Sequence, residues 1–243
     1  MPPEQDFEQE VNMHKRFAGT ENIIRLVDSA IVDVDGRRVG LLLLPMMMSR
    51  GTLQDWIATG AYQDPTDALP TILSSFRGIL RGIRAFHRSD PPYAFRDLKP
   101  ANVMLDGRGA VVLVDLGSVA VARPPVDTPL QAALLKDMCA SQCTAPFRAP
   151  ELFEPGALGA SITEKSDIWS VGCTLYACMY GQPPFDGTAT AACSGTFNVP
   201  KTPRYPTPLV DLMKACLALN PADRPTIEQL IDAFDKVAAQ ISG

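Results

Sequence analysis

Four polar residues in one part of the chain have the types and spacing for chemistry on a phosphate. Asp97 and Lys99 are two positions apart, so in an extended loop their side chains point to the same side. Asp97 could orient a hydroxyl and accept its proton, and Lys99 could reach a transferring phosphate. Asn102 and Asp115 offer oxygen atoms, which magnesium prefers as ligands. These residues suit phosphoryl transfer from a magnesium nucleotide, a reaction that depends on positioning and charge neutralisation.

The order of these residues resembles three motifs of the protein kinases. The chain has Arg-Asp-x-Lys-x-x-Asn at 96–102, Asp-Leu-Gly at 115–117 and Ala-Pro-Glu at 149–151. In protein kinases the matching motifs form the catalytic loop, the magnesium-binding loop and the end of the activation segment. Each motif alone would be weak evidence, but three in chain order at suitable spacing are not expected by chance. The resemblance implies an α+β, protein-kinase-like fold.

Further segments resemble the Numb-associated kinase group. They are Leu42–Pro45, Arg50–Leu53, Cys143–Thr144 and Phe147–Phe153. Members of that group carry a helical insertion in the activation segment, and residues 130–138 have a helical pattern at this place. The resemblance implies a serine/threonine kinase that uses ATP and Mg²⁺ and acts on protein substrates.

The resemblance also implies a role for each motif residue. Asp97 would be the catalytic base, and Lys99 would support the transferring phosphate. Asn102 and Asp115 would hold Mg²⁺. Thr144 lies seven positions before the glutamate of Ala-Pro-Glu, where serine/threonine kinases place a threonine that bridges the catalytic aspartate and lysine.

Four apolar positions would surround the adenine of ATP by the same resemblance. Leu44 is at the gatekeeper position, and Pro45 and Met47 would meet the adenine edge. Proline is acceptable at 45 because only its carbonyl is used there, so the missing N–H is not needed. Met104 would lie beneath the adenine; an apolar strand residue is also ordinary core, and both interpretations can hold.

Other matches concern support rather than chemistry. Glu151 and Arg224 fit a buried ion pair that braces the large lobe. Asp167 and Trp169 resemble an anchor helix beneath the catalytic loop. Glu10 is at the helix position that normally pairs with a strand lysine, but the sequence has no lysine before Lys15. We therefore expect Glu10 to be a solvated helix residue.

The sequence also lacks a Gly-x-Gly-x-x-Gly loop. We interpret residues 1–45 as a partial small lobe of one helix and a hairpin, and residues 46–243 as the large lobe, in a chain truncated at its N-terminus. Such a chain is expected to bind ATP weakly and to transfer phosphate poorly, if at all. The competing interpretation is a kinase-shaped binding module without activity; the complete set Asp97, Lys99, Asn102 and Asp115 argues against it.

Regulation is a separate question with two open alternatives. Arg96 directly precedes the proposed base, an arrangement that often pairs with a phosphate on the activation segment. Thr128 and Ser141 are the candidate acceptors. Alternatively, the helical insertion already orders the segment, and Arg96 only packs.

Composition excludes several other classes. The chain has 243 residues and a net charge of −5, without a basic block, so no nucleic-acid surface is expected. Six cysteines without a C-x-x-C pair and only two histidines make a zinc site unexpected and indicate reduced thiols in a cytoplasmic protein. The longest apolar run, 39–48, is too short to cross a bilayer. The resemblance also allows peripheral attachment to an endomembrane through a lipid anchor outside the printed sequence.

Hydrophobic periodicity gives the expected secondary structure. Residues 39–44 should form a buried strand, and Pro70 should lie in the first turn of its helix. The elements in chain order are helix 4–17, hairpin 30–45, helix 70–87, strands 103–105 and 111–114, helix 130–138, and helices at about 166–180, 208–218 and 226–240.

Overall fold

The computed structural model describes residues 3–46, 49–107, 109–156 and 162–242. These residues form an α+β fold, as the resemblance predicted. The helices are α1 Pro3–Arg16, α2 Leu53–Ala58, α3 Pro65–His87, α4 Pro129–Gln142, α5 Lys165–Tyr180, α6 Ala189–Ser194, α7 Thr207–Cys216 and α8 Ile227–Ser242. The strands are β1 Asp28–Val34, β2 Arg37–Leu43, β3 Ser49–Thr52, β4 Tyr93–Ala94, β5 Val103–Asp106, β6 Val111–Leu113 and β7 Ala120–Val121. None of the helices in the described ranges is long and apolar enough to span a bilayer.

The predicted hairpin forms, but its second strand is not buried. β1 and β2 pair antiparallel around Asp35 and Gly36, both with positive φ, as a tight two-residue turn requires. Val39, Leu41 and Leu43 are 38%, 49% and 57% exposed. The expectation of a buried strand is therefore wrong. An apolar sequence does not show whether another element packs on the strand. In the described part of the chain, little of the surface of these three side chains is covered by other residues.

The long helix α3 begins earlier than predicted. Pro65 is its first residue, where a missing N–H costs nothing, and the Asp64 side chain caps the helix by accepting a hydrogen bond from Thr66 N. Pro70 therefore lies inside the helix and not in its first turn, which corrects the prediction. The apolar side of α3 packs against α5 and α8 in the main core.

A three-stranded sheet, in the order β3-β5-β6, lies beside α3. β6 packs closely on the helix because α3 has a glycine there: a methyl group on Gly82 would lie 2.7 Å from Leu113 Cδ1. β5 and β6 pair antiparallel, as predicted, and Val114 N donates to Asn102 O at 3.0 Å. This pairing brings the residue before β5 and the residues after β6 together.

The segment between β6 and α5 is held by both strand pairing and a helix. β7 pairs with β4. The predicted helix 130–138 is α4, which is longer and begins at a capping box: Thr128 Oγ1 accepts from Gln131 N, and the Gln131 side chain accepts from Thr128 N.

Candidate active site

Asp167 holds the loop that carries Asp97 by hydrogen bonds to its backbone. This carboxylate is fully buried at the start of α5 and accepts hydrogen bonds from Phe95 N at 2.7 Å and Arg96 N at 2.8 Å. His87 Nε2, at the end of α3, lies 2.9 Å from the same carboxylate. Arg96 has a φ of 66°, an uncommon conformation for a residue other than glycine. The predicted anchor is confirmed, and the backbone before Asp97 is fixed by a charged group.

Asp97, Lys99 and Thr144 form a closed ring of hydrogen bonds. Lys99 Nζ donates to Asp97 Oδ2 at 2.7 Å and to Thr144 Oγ1 at 2.6 Å. Thr144 N donates to Asp97 Oδ1 at 2.7 Å. Both carboxylate oxygens are thus oriented, one by a cation and one by the backbone of the segment that follows α4. The predicted bridge by Thr144 is present.

Asn102 is fixed against the same aspartate. Its Nδ2 donates to Asp97 O at 3.0 Å and to Asp97 Oδ2 at 3.1 Å. Because these bonds use the amide nitrogen, the amide oxygen is the atom available to a cation. This orientation fits the chemistry of a magnesium ligand.

Asp115 follows β6 with a φ of 66° and accepts a hydrogen bond from Gly117 N at 3.4 Å. Partial burial raises the pKa of Asp115; the Gly117 bond lowers it, and the carboxylates of Glu10 and Asp97 raise it further. Two neighbouring carboxylates disfavour the ionised form of a carboxyl group, and a nearby cation stabilises that form. The donor set of Asn102 and Asp115 therefore fits Mg²⁺.

Glu10 is not the solvated helix residue that we expected. Its side chain is 23% exposed, and its Oε1 lies 3.9 Å from the Nε2 of the buried His14. Its Oε2 would lie 3.6 Å from a methyl group on Gly117, and it is close enough to Asp115 to raise the pKa of that carboxyl. Glu10 therefore lies next to Asp115 and Gly117 of the site.

A cavity of about 510 Å³ opens beside Asp97, Lys99 and Asp115. Its described lining consists of Asp6, Asp97, Lys99, Asp115, Gly117, Ser118, Ser141, Gln142, Cys143 and Thr144. The size is suitable for a small ligand. The cavity contains the charged groups of the site together with the end of α4.

The predicted adenine-binding residues are not in the described lining of this cavity. Leu44 and Pro45 directly follow β2, with Leu44 exposed. Met104 is half-buried in β5, paired with Thr52 on one side and Val112 on the other. Met47 lies outside the described residues. The structure thus brings together Asp97, Lys99, Asn102 and Asp115, while the adenine positions stay a prediction.

Two of the three guanidinium nitrogens of Arg96 already contact protein groups. Its side chain is buried; Nη2 donates to Val121 O at 2.7 Å, and Nη1 contacts Met138 Sδ at 3.9 Å. Ser141, one candidate acceptor, instead donates to Met138 O. This geometry favours the alternative in which α4 orders the segment and Arg96 packs.

The predicted ion pair between Glu151 and Arg224 is confirmed. Arg224 Nη1 and Nη2 donate to the two carboxylate oxygens at 2.7 and 2.9 Å, and both side chains are almost fully buried. The guanidinium also lies 5.0 Å from the ring centre of Trp169. This pair joins the end of the activation segment to the loop before α8.

Sequence reasoning missed two supporting residues. Ser118 Oγ donates to Phe95 O at 2.9 Å and joins the segment after Asp115 to the catalytic loop. His87 contacts Asp167 across 80 positions. Ser118 directly follows a motif, which is a weak signal, but no local pattern indicates the contact of His87.

Comparison with known proteins agrees with this site. A protein kinase domain model matches residues 2–233. "Serine/threonine-protein kinase 16" of Rattus norvegicus is 34% identical over 250 residues, which is 99% of this chain and 79% of the relative. The Homo sapiens protein of that name is 35% identical over 247 residues, 98% and 79% of the two chains. "Serine/threonine-protein kinase ENV7" of Saccharomyces cerevisiae is 27% identical over 277 residues, 92% and 75% of the two chains. The chain therefore belongs to the protein kinase family, and these relatives are serine/threonine kinases.

Proposed function

We propose that this chain transfers the γ-phosphate of ATP to serine or threonine hydroxyls of protein substrates, with Asp97 as the base. The observation that carries the proposal is the hydrogen-bonded ring of Asp97, Lys99 and Thr144. An ionised carboxylate can accept about four hydrogen bonds, so Asp97 can still accept one from a substrate hydroxyl. Its orientation needs no change when the proton moves.

Lys99 has two partners in this proposal. Its ammonium group is shared between Asp97 and Thr144, and it can also reach a phosphate oxygen at the cavity. A positive charge placed in advance stabilises the charge that develops on the transferred phosphoryl group. Asn102 and Asp115 would hold Mg²⁺, which, when bound, would neutralise charge on the phosphates of ATP.

The remaining assignments extend the proposal to the nucleotide. Residues 1–45 would act as a partial small lobe and residues 46–243 as the large lobe, with ATP between them. Leu44, Pro45, Met47 and Met104 would surround the adenine. The sequence resemblance supports these assignments, and Leu44→Gly, which enlarges the gatekeeper position, should admit ATP analogues with a bulky group on the adenine.

The decisive experiment compares the parent chain with two substitutions. We expect Mg²⁺-ATP at high concentration to raise the melting temperature of the parent slightly, and we expect the parent to phosphorylate protein substrates slowly on serine and threonine. Asp97→Asn should keep the Mg²⁺-ATP thermal shift and lose transfer, because the base acts on the hydroxyl and not on ATP. Asp115→Ala should lose both the magnesium-dependent part of the shift and transfer.

Two outcomes would overturn the proposal. One is a folded parent chain that shows neither a Mg²⁺-ATP thermal shift nor transfer; this would favour the binding-module interpretation. The other is transfer that survives Asp97→Asn at the parent rate. Circular dichroism of each variant checks that loss of transfer does not reflect loss of the fold.

The sequence resemblance alone supports a cellular location, which is the cytoplasmic face of an endomembrane. A cytoplasmic kinase attached peripherally to an endomembrane through a lipid anchor would appear in the membrane pellet of fractionated cells. Carbonate at high pH should not release it if an acyl chain holds it. Recovery entirely in the cytosolic fraction would contradict the attachment.

A further inference from the structure

The end of α4 holds two buried thiols one helical turn apart. Cys139 is fully buried and Cys143 is 5% exposed. Cys143 N donates to Cys139 O at 3.1 Å, and the two thiols share a hydrogen bond. Residues four apart in an α-helix have Cα atoms about 6 Å apart, which is within the range that disulfides span. At this spacing the Cβ atoms are about 5–6 Å apart, and a disulfide needs about 3.5–4.5 Å. A bridge therefore requires the backbone at Cys143, which ends α4 in an extended conformation, to move.

Two arginines flank this pair without a carboxylate partner in the described part of the chain. They are Arg96 and Arg148, both buried. Arg148 Nη2 donates to Cys143 O at 2.5 Å, and the Nε atoms of both arginines are buried without a hydrogen-bond partner among the described residues. Buried cations next to a thiol stabilise its thiolate form. The surroundings thus differ from those of an ordinary apolar cysteine.

The protonation of the pair follows from these contacts. The hydrogen bond from Cys143 lowers the pKa of Cys139, burial opposes this change, and Arg96 and Arg148 lower the pKa further. The same hydrogen bond, together with burial, raises the pKa of Cys143. By contrast, burial raises the pKa of Cys173 and Cys178 in the core. Cys139 is therefore the thiol of this pair that ionises more readily.

A small oxidant can reach Cys143 from the cavity over the active site. Cys143 lines this cavity together with Gln142, Thr144, Asp97 and Lys99. The cavity volume of about 510 Å³ is much larger than a hydroperoxide needs. Cys143 is thus accessible from the cleft although most of its surface is covered.

We propose that Cys139 and Cys143 form a redox modification site at which a hydroperoxide produces an intrachain disulfide. One sulfur attacks the terminal peroxide oxygen, the O–O bond breaks, and the sulfur becomes a sulfenic acid while the alkoxide leaves with the thiol proton as an alcohol or water. The second sulfur then attacks the sulfenic sulfur, the S–S bond forms, and water leaves with the second thiol proton. Two electrons pass from the thiols to the peroxide, and a dithiol reverses the change.

The bridge would act directly beside the hydrogen-bonded ring. Cys143 precedes Thr144, whose backbone N and Oγ1 contact Asp97 and Lys99. Drawing the two sulfur atoms together moves the backbone at 143 and therefore the residue that orients Asp97. This inference goes beyond the proposed function, because the modification itself does not require phosphotransfer.

Peptide mapping tests the site without any activity measurement. Trypsin cuts after Lys136 and Arg148, so both thiols lie in one peptide, 137–148, which contains no other cysteine. After treatment with hydrogen peroxide and alkylation, we expect this peptide to have lost two hydrogen atoms and to carry no alkyl group. Reduction with a dithiol should restore two alkylation sites. The exposed Cys193 is the control thiol, and we expect it to react more slowly than the pair.

The outcomes are distinct. The proposal would be overturned if both thiols of peptide 137–148 were alkylated while Cys193 was oxidised. It would also be overturned if the two cysteines became sulfonic acids without forming a bridge. Cys139→Ser should abolish the loss of hydrogen and leave a single, overoxidised Cys143. If the parent chain transfers phosphate, peroxide should inhibit it reversibly, and Cys139→Ser should remove this reversible inhibition. A bridged peptide in a chain without transfer would support the site and contradict only the proposed function.

Discussion

At the scale of single residues, the proposed base is held from two sides by groups from different parts of the chain. Lys99 comes from the same loop as Asp97, whereas Thr144 comes from the segment after α4, 47 positions away. An aspartate held only by its own loop could rotate about its side-chain bonds. The contact with Thr144 N removes this freedom and makes the orientation of the base depend on the position of the activation segment.

Thr144 gives a prediction that separates its backbone contact from its hydroxyl contact. Thr144→Val keeps the shape and the N–H to Asp97 but removes the acceptor for Lys99 Nζ. Because hydrogen bonds to charged groups contribute about 1.5–3 kcal/mol, we expect the phosphotransfer rate to fall roughly tenfold or more. Thr144→Ser keeps the hydroxyl and should retain most of the rate. Equal rates for the valine and serine variants in a steady-state assay would show that the hydroxyl has no role.

Much of the site could be predicted at this scale because its members are close in sequence. Asp97, Lys99 and Asn102 occupy one loop, and Asp115 is joined to it by the β5–β6 hairpin. The hydrogen bond between His87 and Asp167 was not predictable, since the helices that carry these residues meet only in the folded chain. Glu10 was misjudged for the same reason: its neighbours Gly117 and Asp115 are more than 100 positions away.

At the scale of elements, α4 is the part that connects the redox pair, Arg96 and the site. It is amphipathic only weakly: Leu130 and Leu134 are exposed, while Leu135 and Cys139 are buried. Its N-terminus therefore depends on local capping, and its C-terminus depends on tertiary contacts. The two ends should respond differently to substitution.

Thr128 tests the capped end. Thr128→Ala removes the hydroxyl that accepts from Gln131 N, and the loss of such a cap costs about 1 kcal/mol. We expect amide hydrogens in the first turn of α4 to exchange roughly fivefold faster, with little change in global unfolding. Thr128→Ser preserves the cap and is the control. Unchanged exchange in the alanine variant would mean that tertiary contacts alone hold this end.

Short elements were the least predictable ones. β4 and β7 have two residues each and exist because they pair with one another, so neither has a pattern of its own. α2 was missed although a signal was present: Thr52 and Asp55 form a capping box at its start. Either Pro65 or Pro70 could have been the first-turn proline of α3. The helix begins at Pro65 because Asp64 caps it there.

The ion pair of Glu151 and Arg224 joins two elements and allows a double-variant test. Arg224→Met leaves a buried carboxylate without its cation, which costs about 3–5 kcal/mol of unfolding free energy. Arg224→Met combined with Glu151→Leu should recover part of this loss, as urea unfolding would show. The exposed pair of Arg77 and Asp235 is the control, and Arg77→Met should cost under about 1 kcal/mol. Additive losses in the double variant would contradict coupling across this pair.

At the scale of the whole molecule, the core is rich in thiols that must stay protonated. Cys173, Cys178 and Cys216 lie in α5 and α7, which pack against each other. Burial raises the pKa of all three, and that of Cys216 to about 12. An unfolded thiol has a pKa near ~8.5. Folding therefore holds protons that the unfolded chain releases in alkaline solution.

This difference predicts that stability falls as pH rises above about 9 in the presence of a reductant. Between about pH 9 and 12 the unfolded chain binds fewer protons than the folded one, so the free energy of unfolding decreases by about 1.4 kcal/mol per pH unit for each such thiol. Cys216→Ala removes one of these protons and should make the slope shallower by about 1 kcal/mol per pH unit, measured by urea unfolding at pH 8, 9 and 10. The alanine variant starts from a lower stability because of the lost packing, so the slope and not the absolute value is compared. Cys193→Ala, at an exposed thiol, should change the slope less, and identical slopes for the parent and Cys216→Ala would show that the buried thiolate is tolerated by the fold.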